Sequence, residues 1–344
     1  RVNALDPLER CLVELGKALL LGCRLIIVDN PGNFLSQHEL PEFQRMLRKV
    51  RDDGVAVLYI GNHHQEVFKI ADRTSLFYDG QIRKVFERDE MTDRAIAPYI
   101  MEWQDQNQLP DLDFEDGVLH FHHVHSGSLN GLQFVLHKGE CLTLLDMDNR
   151  IADDILSLLT GTAACVRGRI TLEHELYLPK RAVRYLDEGV AVIPKDPVEH
   201  LLFPHRTYME NLTFLLDRKL GRSLIPGRIY RSIRDEYAPL AGAAIDETNI
   251  LNLSLEEQMS LIYYRVQLLH PRVLVCIQPL ARGDMLCRRK ILSLIRESLR
   301  QGTAVLITTT NVSDTLEISD RLMVVEGGVC TAAYDKPEFD RIAR

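Results

Sequence analysis

Apolar runs of strand length alternate along this chain with longer stretches whose apolar positions recur at helical spacing. The apolar runs fall at 24–28, 55–60, 272–276 and 303–307. Amphipathic stretches at 9–21, 41–51, 257–269 and 288–300 predict helices. Shorter helical stretches lead into Asp72-Arg73 and Asp320-Arg321, and closing strands end at 78–80 and 326–328. A strand that is apolar throughout needs cover on both faces. With helices between such strands, the pattern predicts an α/β fold built on a mainly parallel sheet.

The two sets of elements are in register. Sliding the chain by 253 − 5 = 248 residues brings Leu5 onto Leu253, Arg24 onto Arg272 and Pro31 onto Pro279 without a gap. Gly54 falls on Gly302, Ala56-Val57 on Ala304-Val305, Ile70, Asp72 and Arg73 on Ile318, Asp320 and Arg321, and Gly80 on Gly328. Such self-similarity marks a duplicated domain. The later copy has an upstream section, 117–252, with no counterpart before Leu5. The earlier copy is therefore expected to lack roughly 130 residues at its N-terminal side. The polar, acidic stretch Trp103 to Asp113 reads as a linker. The expected division is a C-terminal half-domain at 1–100, a linker at 101–116 and a complete domain at 117–344.

These residues resemble the tandem ATP-binding subunits of sugar ABC importers of the ribose/galactose type, over nearly the whole chain. Leu25-Ile-Ile-Val-Asp29-Asn30-Pro31 is similar to the family's Walker B strand, and Val55–Ile60 leading to Glu66–Arg73 to its switch region. Gly139-Glu140 resembles the opening of a Walker A strand. Val190–Pro194 with Glu210-Asn211-Leu212 resembles the Q-loop region, and Leu253-Ser254 the start of the signature. The resemblance implies P-loop NTPase-like domains in tandem. It adds an antiparallel β subdomain and a helical subdomain, about Phe203 to Asn252, to the C-terminal copy.

Within that frame the chemistry is eroded. A P-loop needs G-x-x-x-x-G-K-[ST], whose main-chain N–H groups, Lys and hydroxyl hold the phosphates and Mg²⁺. The corresponding stretch is Asp146-Met-Asp148-Asn149-Arg150-Ile-Ala152-Asp153-Asp154, with Ala152 in the place of Lys and Asp153 in that of Ser/Thr. Two like charges about 4 Å apart cost roughly 4 kcal/mol at an effective dielectric of about 20. No ATP is therefore expected at this loop. A solvated acidic turn that also caps the next helix, with Asp153 and Asp154 favoured near its N-terminus, is the plainer reading.

By the resemblance, Asp29 would hold Mg²⁺ through water. The catalytic Glu positions hold Asn30 and Gln278, which cannot serve as general bases. The switch His positions hold Asn62, followed by His63 and His64, and Thr310. Ser254, Gln258 and the D-loop-like Asp284 are the other remnants. Both signature stretches lack glycine, and Asp6 with Glu9 and Ser254 with Glu257 read as capping boxes. His120, His122, His123 and His125 suggest either zinc or, more simply, a polar strand face. Arg181 with Arg184, and Arg228 with Arg231 and Arg234, read as solvated helix faces.

Composition narrows the function classes. Of 344 residues 46% are hydrophobic and 26% charged, which suits globular domains. The net charge, 41 − 49 = −8, argues against nucleic acid as partner. Seven cysteines without C-x-x-C fit a reducing compartment. The resemblance implies a peripheral protein on the cytoplasmic face of the cell membrane. Its expected partners are membrane permease subunits and, through them, a sugar-binding protein. Pairing would involve the two ATPase domains or two chains. Mg-ATP is expected only at the site that would use the missing first P-loop, with little hydrolysis. A non-enzymatic pseudo-ATPase scaffold or regulatory partner is the alternative.

Overall fold

The computed structural model describes residues 5–36, 38–61, 64–78, 80–92, 94–96, 117–178, 184–221, 225–281, 283, 285–312 and 315–341. The chain divides into two compact units, Arg1–Pro110 and Asp111–Arg344.

Unit 1 begins with α1 (Pro7–Leu20). The Asp6 carboxylate accepts from the Glu9 N–H at 2.7 Å, and Glu9 accepts from the Asp6 N–H at 3.0 Å. With Pro7 in the first turn, this capping box fixes where the helix starts. Then come β1 (Leu25–Asp29), α2 (Glu39–Asp52), β2 (Ala56–Ile60), α3 (His64–Ile70), β3 (Arg73–Tyr78) and β4 (Gln81–Glu87). β1 and β2 pair in parallel, from Leu25↔Ala56 to Asp29↔Ile60. Ile26, Val28, Val57 and Tyr59 pack on Leu15, Phe43, Leu47 and Val50 from the helices. β3 and β4 form an antiparallel hairpin with a bulge at Leu76/Phe77.

Unit 2 opens with β5 (Gly117–Ser126), β6 (Leu129–His137) and β7 (Cys141–Asp146), followed by α4 (Ile151–Thr160). β8 (Arg167–Leu172), β9 (Glu175–Leu176) and β10 (Val190–Ile193) come next. A helical insert holds short helices and the longer α5 (Gly227–Ala241). The unit closes with α6 (Leu255–Leu269), β11 (Val273–Ile277), α7 (Met285–Arg300), β12 (Ala304–Thr309), β13 (Arg321–Glu326) and β14 (Val329–Asp335). The six-stranded sheet runs β10-β11-β12-β7-β13-β14, parallel except for β14 at one edge. A four-stranded antiparallel sheet, β6-β5-β8-β9, shares its core with α4 and the inner strands.

Local geometry recurs at the offset of 248. β11 pairs with β12 from Val273↔Ala304, the counterpart of Leu25↔Ala56. The β13–β14 hairpin bulges at Val324/Val325, as β3–β4 does at Leu76/Phe77. Ser254 and Glu257 form the second capping box. Asn30 and Gln278 both hold left-handed backbone, at φ 46° and 45°. Each donates its N–H at 2.8 Å to the strand partner's carbonyl, Ile60 and Thr308 respectively.

One expected element differs. The step before Asp320 is a turn at 315–318, not a helix, whereas α3 makes the corresponding step in unit 1. The Thr315 and Ser319 hydroxyls donate to the carbonyls of Val312 and Thr315, which also accept the N–H groups of Leu316 and Ser319 at 3.0 Å. Among the described residues no helix is long and apolar enough to cross a membrane.

Candidate functional site

In an open parallel sheet, ligands bind beyond the carboxyl ends of the strands. In unit 2 that crevice lies where β7 ends at Asp146 and α4 begins at Ile151. Asp146 is 1% exposed. Its Oδ2 accepts from the Ile151 N–H at 2.9 Å, and the nearby N–H groups of Arg150 and Asp148 favour the charged carboxylate. Oδ1 is buried without a hydrogen-bond partner. Burial pushes the Asp146 pKa up, and the three main-chain donors oppose that rise.

A loop that grips phosphate aims main-chain N–H groups at a bound anion. In this loop the donors close on an anion from the chain itself.

The other carboxylates diverge. Asp148 accepts from the Gly327 N–H at 2.7 Å, tying the loop to the β13–β14 turn. Asp154 accepts from the Ser128 N–H at 2.7 Å, in the β5–β6 turn. There Gly127 stands at φ 55°, and a Cβ would lie 2.0 Å from an Asp154 oxygen, so a larger residue would be strained and would displace Asp154. Asp153 is exposed.

The solvated acidic turn is corrected in part: Asp153 and Asp154 do lie in the first turn of α4, but Asp146 is buried. Asp146 caps α4 from inside, Arg150 holds the N-cap position without a side-chain bond, and Asp154 serves a different turn. Ala152, in the place of the P-loop Lys, is buried in the core cluster of unit 2. Between Asp146 and Asp154 the loop carries neither a Lys nor a hydroxyl side chain.

A further link spans the crevice. The Gln278 amide donates to Asn149 Oδ1 at 2.8 Å, and Asn149 is left-handed at φ 55°. The residue in the catalytic Glu position is thus a strut to the loop. Sequence reasoning missed this bond, because residue types do not reveal which amide meets which across a sheet.

The remaining remnants are engaged locally. Asp29 is exposed, and its Oδ1 accepts from the Asn30 amide at 2.8 Å. Ser254 Oγ accepts from the Glu257 N–H at 3.3 Å and lies 2.8 Å from Glu257 Oε2. The Gln258 amide donates to the carbonyls of Ile250 and Leu253, at 3.1 and 2.9 Å. Both side chains fasten the start of α6. Thr310 is buried. Asn62, His63, Asp284 and Arg181 lie outside the described residues.

His120 and His122 stack at 5.5 Å, and His120 meets the His174 ring at 5.9 Å. His122 Nε2 is within 3.3 Å of Thr171 Oγ1. Burial, with Arg169 beside it, pushes the His122 pKa down. Among the described residues no group of three or more His, Cys, Asp or Glu could hold a metal ion. The rings line a polar sheet face, opposite buried Leu119 and Phe121.

No family model matches the chain. It is 25% identical over 337 residues to a ribose import ATP-binding protein, RbsA 2, of Burkholderia pseudomallei, covering 95% of this chain and 65% of that protein. It is 24% identical over 344 residues to RbsA 2 of Escherichia coli O157:H7, covering 95% of this chain and 66% of that one. The chain thus spans about two thirds of the length of these relatives.

Among solved structures it resembles cbiO1 of Clostridium perfringens, part of the ABC transporter complex cbiONQ. The TM-score is 0.57 at 18% identity, over 66% of this chain and 92% of that one. The ADP conformation of MJ1267, an ATP-binding cassette of an ABC transporter, gives 0.56 at 17%, over 66% and 94%. Over the two thirds of the chain that they cover, the fold is shared with these cassettes.

Proposed function

We propose that the chain is an ATP-binding-cassette subunit of a carbohydrate import system, peripheral to the cytoplasmic face of the cell membrane, whose nucleotide site in unit 2 has been lost. The observation that carries the import reading is likeness to ribose import ATP-binding proteins over 95% of the chain. The shared strand register at the offset of 248 supports two cassettes in tandem, the first represented by its C-terminal half at 1–100, with 101–116 as linker and 117–344 as the second. Its partners are membrane permease subunits, and a sugar-binding protein acts through them. The two cassettes, or two chains, pair.

The loss of the second site rests on Asp146, whose carboxylate takes the main-chain donors that a phosphate would need. Mg-ATP is then confined to a site built on a P-loop preceding Arg1, with Asp29 reaching Mg²⁺ through water. Asn30 in the place of the catalytic Glu makes hydrolysis there slow, since an amide takes no proton from water. A second reading has its own support. Ser254 and Gln258 spend their polar groups on the start of α6, which suits a scaffold or regulatory partner without turnover.

One experiment separates these readings. The full-length product is co-expressed with a sugar-importer permease from the same organism, and co-purification and ATP turnover are measured. Import predicts a stable complex with turnover below about 0.1 s⁻¹, against about 1–10³ s⁻¹ for ordinary enzymes. Absence of a complex contradicts the import reading, and ordinary turnover contradicts the slow-hydrolysis reading.

A further inference from the structure

Three side chains at the carboxyl end of the unit 2 sheet carry buried oxygens that nothing satisfies. Asp146, Gln278 and Thr308 are 1%, 6% and 0% exposed. Among the described residues, Asp146 Oδ1, Gln278 Oε1 and Thr308 Oγ1 have no hydrogen-bond partner. Buried polar atoms are normally paired, so three in one place call for a common partner.

Topology brings them together. β12 runs between β11 and β7. Leu142 and Leu144 of β7 share a core with Ala304 and Leu306 of β12, on the side of α4. Alternate residues of a strand share a face, so Asp146 and Thr308 project to that side as well. Thr308 stands opposite Leu144, one diagonal step from Asp146, where Cα atoms are about 7–8 Å apart. Gln278 follows β11 and donates its N–H to the Thr308 carbonyl at 2.8 Å. Its side-chain nitrogen donates to Asn149, in the loop beyond β7. The amide therefore bridges over the end of β12, and Oε1 is the atom that it leaves there.

The donor chemistry selects the occupant. All three atoms are hard oxygens, and one belongs to a carboxylate. The groups that act on the Asp146 charge are main-chain N–H groups and Asp148, with no Lys or Arg among them. A water molecule would leave that buried charge without a counter-charge. A divalent cation would leave one positive charge in excess, and Mg²⁺ sheds its own water reluctantly. A monovalent cation balances the set. We propose that Asp146 Oδ1, Gln278 Oε1 and Thr308 Oγ1 form a binding site for a monovalent alkali cation, sodium or potassium, which ties together the carboxyl ends of β7, β11 and β12. The residues that the resemblance would set on Mg²⁺ in this unit take no part, since Ile277 carries no side-chain oxygen and Asp153 is exposed. The site is made of unit 2 residues alone and stands apart from the import reading.

Thermal unfolding of the full chain in sodium or potassium chloride, against choline chloride at the same ionic strength of about 0.1 M, tests it. The expected result is a Tm higher by at least about 4 °C in one of the alkali salts. Asp146→Asn keeps an acceptor for the Ile151 N–H but loses the charge, and Thr308→Val loses the hydroxyl oxygen. Each should remove most of the shift. Equal Tm values in the three salts overturn the proposal, as does a shift of the same size in Asp146→Asn. A larger rise in millimolar calcium or magnesium chloride than in either alkali salt overturns the monovalent assignment. Crystals grown with thallium(I), an anomalous scatterer in place of potassium, keep the proposal falsifiable where a variant fails to fold. A peak within coordination distance of the three oxygens is expected, and an ordered water alone overturns it.

Discussion

The β1–β2 pair of unit 1 and the β11–β12 pair of unit 2 share a register, a left-handed residue after the first strand and the hydrogen bond that it donates. Their surroundings differ. Leu58 is 50% exposed, and its counterpart Leu306 is 0% exposed. Register and turn belong to the repeated segment itself, which is why they persist in both copies. Burial belongs to whatever packs on the sheet, and in unit 2 that is β7, α4 and the antiparallel sheet. The same sequence pattern thus yields the same local backbone with unequal energetic weight.

The largest effect should come from breaking the pair at equivalent leucines. Leu306→Ala is expected to cost about 2–5 kcal/mol, as for a buried Leu, whereas Leu58→Ala should cost less than about 1 kcal/mol. Urea unfolding followed by circular dichroism measures both, and equal costs would remove the contrast.

Next comes the loop. Asp146→Ala strands the Ile151 N–H and its neighbours without an acceptor, at about 1–3 kcal/mol. Asp29→Ala, at an exposed strand end, should stay within about 0.5 kcal/mol.

The capping boxes should behave alike in both copies. Asp6→Ala and Ser254→Ala are each expected to cost about 0.5–2 kcal/mol, a test of whether helix starts are as independent of burial as the geometry suggests.

The smallest effect is a slope. Burial raises the Asp146 pKa above the usual 3.8, so the folded chain holds that proton more tightly than the unfolded chain. Its contribution to stability is present below pH 3.8 and declines as pH rises through the raised value. Asp146→Asn retains an acceptor oxygen for the Ile151 N–H and carries no charge. Stability measured against pH above 4 should therefore fall less steeply in the variant, and an unchanged slope would place the titration elsewhere.

Much of the frame was legible in the chain. The apolar runs at 24–28 and 272–276 lie within one residue of β1 and β11, because continuous apolar residues between helical stretches have few other uses. The capping boxes were legible for a similar reason, since their spacing is local. The turn at 315–318 was not, because a single turn and a short helix share the same residue pattern.

The loop reads from the sequence as a solvated turn, whereas its first carboxylate, Asp146, is buried. Composition places four carboxylates near one another but cannot say that Asp146 turns inward while Asp148 and Asp154 reach Gly327 and Ser128. Those bonds are made to main-chain N–H groups, which every residue except proline carries, so the sequence holds little sign of them.

The central claim is that an internal carboxylate occupies the anion position of unit 2. Calorimetric titration of the 344-residue chain with Mg-ATP tests it most directly. The account predicts no saturable heat at micromolar nucleotide, and one-to-one binding with a micromolar Kd would contradict it.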